Sequence, residues 1–238
     1  MTRVLVPLAI LEGESVSPGL TTLLEPVDVT VLGYHVVPEQ TPPDQARLQY
    51  EDRATAALED LAATFRTAGT SADHRLVFTH DREQTIDRTA AETGTDATAV
   101  TGASGRIDRI LVALTGDVAV DRIVRFVAAL IDDREIGVTL LLATDDAGRD
   151  AGGELLETAA GGLSSRGIDV ETELVVDAPT VESLLEAAAD HDAIVVGERT
   201  PSLRSLVLGE EADRIAVESV APVLVIRDVD GPPAADDA

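Results

Sequence analysis

The residues of this chain best suited to chemistry are glycines and hydroxyls that follow short apolar runs. Ala193–Val196 leads into Gly197, and the stretch beyond it holds Thr200, Gly209, Glu210 and Glu211. Ala97–Thr101 leads into Gly102-Ala103-Ser104-Gly105, and Arg109–Leu114 into Thr115-Gly116-Asp117. Glycine at a strand end lets backbone N–H groups approach an anion closely, and the start of a following helix adds its positive end. The chemistry on offer is therefore phosphate recognition. A lone G-x-x-G also reads as a tight turn between strands.

Nothing in the sequence calls for covalent catalysis. Ser104, Ser164, Ser165 and Ser205 lack a nucleophile-elbow context. His35, His74, His80 and His191 show no metal-ligand spacing and no H-E-x-x-H. His35 reads as a strand-end residue, His80-Asp81 as a polar turn before a helix, and His191-Asp192 as a helix-end loop. Asp132-Asp133 and Asp145-Asp146 lack the alternation of a calcium loop and read as solvated surface. The chain has no cysteine, which excludes thiolate catalysis, thiolate metal sites and disulfides.

Net charge sharpens the exclusions. There are 44 acidic residues against 18 basic ones, all arginine, for a formal charge of −26. Such a surface repels nucleic acid and anionic lipid, both of which are bound through Lys and Arg. The acids are spread through patterned segments, so they do not form a disordered block. Self-repulsion on this scale destabilises a compact state unless salt screens it. The composition resembles that of cytosolic proteins from salt-accumulating archaea. With 45% hydrophobic residues the chain can bury a real core, an aliphatic one with 3 Phe, 2 Tyr and no Trp. The apolar run Val4–Leu11 is too short to span a membrane and reads as a first strand, so a cytoplasmic protein without membrane insertion is expected.

The elements that must position these turns alternate between apolar runs and amphipathic stretches, the signature of a parallel α/β sheet. Strands are expected at Arg3–Ala9, Val29–Val37, His74–Thr79 and Ala97–Thr101, with helices at Ser17–Leu24, Pro43–Gly69 and Arg82–Thr93. The pattern then restarts: Arg109–Leu114 (R-I-L-V-A-L) echoes Arg3–Leu8 (R-V-L-V-P-L). Strands follow at Gly137–Ala143, Val170–Val176, Ala193–Val196 and Val223–Ile226, and helices at Asp121–Ile131, Glu154–Arg166, Thr180–Ala189 and about Glu210–Ser219. This is an internal duplication. It divides the chain into residues 1–106, a unit lacking its last helix and strand, residues 107–228, a complete unit, and a disordered acidic tail, 229–238.

Both units resemble universal stress protein domains. The resemblance rests on R-V-L-V-P-L and R-I-L-V-A-L, on Tyr34-His35-Val36-Val37, on A-I-V-V-G at Ala193–Gly197, and on the closing A-P-V-L-V-I. It implies tandem Rossmann-like, doubly wound parallel sheets with strand order 3-2-1-4-5 in a complete unit. It also implies an adenine-nucleotide site: an aspartate after the first strand, then a glycine, two residues, a glycine, nine residues, and a glycine followed by Ser or Thr.

Against that pattern the chain departs at several positions. Thr115 replaces the aspartate, with Asp117 two places later. Gly197 fits the first glycine, Thr200 stands at the second, eight residues rather than nine lead to Gly209, and Glu210 takes the hydroxyl position. A carboxylate ~4 Å from a phosphate costs about 4 kcal/mol per unit-charge pair at an effective dielectric near 20. In the first unit Ala9, Ile10 and Leu11 follow the first strand, Glu12 is the nearest acid, and no third glycine follows Gly105.

The expectation is a non-enzymatic regulatory or stress-response protein with a vestigial nucleotide site at Thr115, Gly116, Asp117, Gly197, Thr200, Gly209 and Glu210. It would act through protein contacts, with a transporter as one candidate partner, and need no cofactor. The alternative is a sensor that still takes ATP, another adenine nucleotide or a different small ligand. Because the first unit has no fifth strand, Val223, Leu224, Val225 and Ile226 are expected to pair antiparallel with the same strand of a second copy, giving a homodimer.

Overall fold

The structure is a computed structural model that describes residues 1–114, 120–177, 180–197 and 221–227. The first half contains β1 (Arg3–Ala9), α1 (Pro18–Leu23), β2 (Asp28–Val36), α2 (Pro43–Thr67), β3 (Ala72–Thr79), α3 (Arg82–Thr93) and β4 (Ala97–Val100). The second contains β5 (Arg109–Leu114), α4 (Val120–Ile131), β6 (Gly137–Thr144), α5 (Arg149–Ser164), β7 (Val170–Val176), α6 (Thr180–Ala188), β8 (Ala193–Gly197) and β9 (Val223–Ile226).

Local chemistry sets many of these boundaries. Asp81 caps α3 by accepting the Gln84 N–H at 2.9 Å, and Gly94 ends that helix in the left-handed region at φ 61°. The acidic glycine-rich start of α5 reads poorly as helix, yet the helix begins at Arg149, after a 3-10 turn at Asp146–Gly148. Gly152 is there because α5 lies close on the sheet. A Cβ at that position would stand 2.9 Å from Leu142 Cδ2 and 3.2 Å from Leu174 Cδ1.

The nine described strands form a single sheet of order β3-β2-β1-β4-β9-β8-β5-β6-β7. Side-chain alternation sends neighbouring residues to opposite faces. Val4, Val6 and Leu8 join Val112, Leu114, Leu224 and Ile226 in one core that spans both halves and carries α1, α2, α4 and α5. Leu111, Ala113, Val196, Val223 and Val225 pack beneath α6 on the other face, where Leu5 and Leu32 pack beneath α3.

The duplication is visible in the hydrogen bonds as well as the strand order. Asp96, just before β4, accepts the Arg3 N–H at 3.0 Å, and Asp192, just before β8, accepts the Arg109 N–H at 3.0 Å. Each aspartate also donates its own N–H to the carbonyl of that arginine, at 2.8 and 2.9 Å.

The expected dimer interface must be corrected. β9 pairs in parallel with β8, Ile194 with Val223 through Gly197 with Ile226. Its other edge pairs antiparallel with β4 of the same chain, Ala97 with Ile226 through Val100 with Val223. One strand thus completes the second half and also fills the missing fifth position of the first. Val223, Leu224, Val225 and Ile226 are buried and have no edge left for a second copy. The sheet edges are β3 and β7, whose exposed Asp73, His74, Arg75, Glu171 and Glu173 discourage further strand pairing.

Candidate functional site

Open α/β sheets take ligands beyond the carboxyl ends of the strands, where neighbouring connections leave in opposite directions. The antiparallel β4–β9 join turns the halves head to tail, so their two crevices lie on opposite rims of the sheet. In the second half the crevice falls between β5 and β8, which pair from Ile110 with Ala193 to Ala113 with Val196. Gly197, at the end of β8, is buried there and continues the ladder onto Ile226. Thr115, Gly116, Asp117, Thr200, Gly209 and Glu210 lie outside the described residues. Of the expected site, the structure therefore places Gly197 alone.

In the first half the G-x-x-G turn lies among the described residues, and the chain's own atoms pack against it. Gly102 lies against the segment entering β9: a Cβ there would overlap the Ala221 carbonyl and stand 2.6 Å from Pro222 N. The other end of the turn meets α1. The Gly19 N–H donates to Ser104 O at 3.3 Å, and the Ser17 and Ser104 hydroxyls are 2.9 Å apart. A Cβ on Gly19 would overlap Gly105 O and Ser104 Oγ, whereas one on Gly105 would meet nothing within 4 Å. Of the two glycines in G-x-x-G, Gly102 is required for close backbone packing within the chain.

At the end of β1, Ala9 N–H donates to the Glu14 carboxylate at 2.6 Å, and Ala9 O accepts the Glu12 N–H at 3.0 Å. The sequence singles out Glu12 as the nearest acid, but Glu14 is the residue whose side chain reaches the strand end. The signal was Gly13, whose φ of 80° folds the loop back between the two acids.

Three of the histidines, His35, His80 and His191, are held by contacts within the fold. His35 packs edge-on against Tyr50 and Phe78, with ring centroids 5.8 and 6.0 Å away. His80 Nδ1 lies 3.1 Å from Val37 O. His191 donates from Nδ1 to Ala187 O at 2.7 Å and meets Thr139 Oγ1 through Nε2 at 2.8 Å. Among the described residues, no group of three or more His, Asp or Glu could hold a metal ion.

A groove of about 540 Å³ lies at the seam between halves, lined by Pro18, Leu23, Arg106, Ile107, Arg134 and Ile136. Its cations are already engaged. Arg106 pairs with Asp108 at 2.6 Å. Arg134 donates to Thr22 O at 2.6 Å, Leu23 O at 2.9 Å and Ile131 O at 3.1 Å, and also to Leu130 O. Burial pushes the Arg134 guanidinium below its ordinary value, opposed by Glu25 and Asp132. Sequence reasoning missed this residue, because its acceptors are main-chain carbonyls with no sequence signature.

No protein-family model matches the chain, and no curated protein does. Solved structures do. A universal stress protein from Archaeoglobus fulgidus DSM 4304 matches over 96% of this chain and 97% of its own, with 16% identity and a TM-score of 0.62. The cytoplasmic domain of a prokaryotic cation chloride cotransporter matches over 94% of both chains, with 11% identity and a TM-score of 0.52. A universal stress protein from Archaeoglobus fulgidus in complex with dAMP matches 50% of this chain and 96% of its own, with 24% identity and a TM-score of 0.41. The nine-stranded sheet and its 3-2-1-4-5 second half are thus the fold of a universal stress protein, as the sequence resemblance implies.

Proposed function

We propose that the protein is a non-catalytic, cytoplasmic regulatory protein of the stress response that acts through protein contacts, its nucleotide site having degenerated. One observation carries the reading: the G-x-x-G turn of the first half is packed against Ala221–Pro222 and α1 instead of facing an open cradle. In the second half the sequence supports the same conclusion, since Thr115, Thr200 and Glu210 replace the aspartate, a glycine and the hydroxyl of the nucleotide-binding pattern. No described helix is long and apolar enough to cross a membrane. The same architecture serving as the cytoplasmic domain of a cotransporter supports a transporter as one class of partner.

A second reading, a sensor of an adenine nucleotide or other small ligand, is favoured by Gly197, which ends β8 beside β5 where such a ligand would enter. Calorimetry with ATP in molar KCl, with and without Mg²⁺, separates the two. The regulatory reading expects no binding in the low micromolar range and a gain of affinity in Glu210→Ser. A low-micromolar Kd in the unaltered protein would sink it and leave the sensor.

A further inference from the structure

We propose that Glu14 is a built-in, displaceable occupant of the first-half crevice, standing where the carboxylate or phosphate group of an external ligand would bind. The inference rests on the reading that this half no longer cradles a nucleotide. β1 and β4 flank the switch point of the first half, the place where a ligand enters such a sheet. Val4 pairs with Ala97 and Leu5 with Thr98, while β4 stops at Val100. In this register Leu8 and Ala9 run past the end of β4, with no described strand beside them on that side.

Backbone alternation fixes where their polar groups point. The Ile10 N–H goes to β2, donating to Tyr34 O at 3.1 Å, so the Ala9 N–H one residue earlier faces the crevice. There it donates to the Glu14 carboxylate at 2.6 Å. The Ala9 carbonyl, on the same side, takes the Glu12 N–H at 3.0 Å. A single loop thus satisfies both polar groups that the end of β1 offers. A buried N–H left unpaired costs about 1–3 kcal/mol, so this position demands an acceptor, and an ionised one bonds more strongly than a neutral one.

The loop is suited to exchange. It turns on Gly13, and Glu12, Gly13 and Ser15 are exposed. It ends at Ser17, whose hydroxyl accepts the Leu20 N–H at 3.4 Å and pairs with Ser104 of the opposing turn at 2.9 Å. The ligand class is a small anion bearing a carboxylate or a phosphate group, matching what Glu14 presents.

The test is amide NMR of the full ¹⁵N-labelled chain in concentrated potassium salt, with chloride replaced stepwise by acetate, or by phosphate, at constant ionic strength. In Glu14→Ala the Ala9 amide proton should lose its hydrogen-bonded downfield shift and recover it saturably with either anion. The unaltered protein should respond several-fold less, because Glu14 competes. Equal responses in the two proteins would overturn the proposal, as would an unresponsive Ala9 amide in the variant. Should Glu14→Ala not fold, Glu14→Gln keeps the side-chain length without the charge and is read the same way. ATP calorimetry reports on the regulatory reading separately, because it is blind to an anion held weakly at Ala9.

Discussion

Replacing Arg134 with alanine should loosen the seam between halves. Its guanidinium ties the last turn of α4, at Leu130 and Ile131, to the last turn of α1, at Thr22 and Leu23. Both helix ends leave carbonyls without intrahelical partners, and both carry the negative end of a helix dipole. Each hydrogen bond from a charged donor is worth about 1.5–3 kcal/mol when its acceptor is left dry, and much less where water can replace it. The position is half-buried, so water should recover part of the loss, and each dipole contact adds ~0.3–1 kcal/mol. The total expected loss is about 3 kcal/mol, or roughly 6–12 °C in Tm for a chain of this size. Arg134→Lys keeps the charge but has no planar fork, and should recover about 1 kcal/mol.

Urea unfolding followed by far-UV circular dichroism in molar KCl measures both variants, since a chain without Trp gives little fluorescence signal. The effect should be flat with pH across the neutral range. Burial lowers the folded-state value of Arg134, so the unfolded chain binds that proton more tightly. This cost is constant while the arginine is charged in both states, and is relieved only above the lowered folded-state value, at strongly alkaline pH. A loss below about 1 kcal/mol in Arg134→Ala would refute the clamp, because loss of the two dipole contacts alone could account for it.

Three further outcomes follow from the same packing. Gly102→Ala should destabilise by about 1–3 kcal/mol, because its Cβ meets unyielding backbone, while Gly105→Ala should stay within about 0.5 kcal/mol; equal effects in urea melts would contradict the packed-turn reading. Light scattering at high salt should give a monomer, and Val225→Pro should unfold the chain rather than split a dimer, since both edges of β9 are used internally; a folded, dissociating variant would restore the intermolecular interface. Tm should rise steeply from low salt to molar KCl as the charge of −26 is screened, and a salt-independent Tm would count against adaptation to a salty cytosol.

Much of this architecture was legible in the chain because its signals are local. Apolar runs marked the strands, Asp81 and Gly94 bracketed α3, and the repeated R-x-L-V starts disclosed the duplication. The departures of the glycine turns from the nucleotide-binding pattern were also readable, since Thr115, Thr200 and Glu210 differ from the expected residues by type alone. Partnership was not. Val223–Ile226 announced a buried strand, but periodicity says only that a strand is covered, not by what. The tertiary structure chose β4 of the same chain over a second copy, because the truncated first half left an apolar edge that the C-terminal strand could reach within its own sheet. It likewise chose Glu14 over Glu12 at the end of β1, and set Arg134 on the carbonyls of two helices distant in sequence. Those choices depend on where main-chain groups converge in space. Sequence by itself determined which segments must be buried and which residues could bind; only the folded chain decided which of its own atoms would fill the places a ligand or a second subunit would otherwise take.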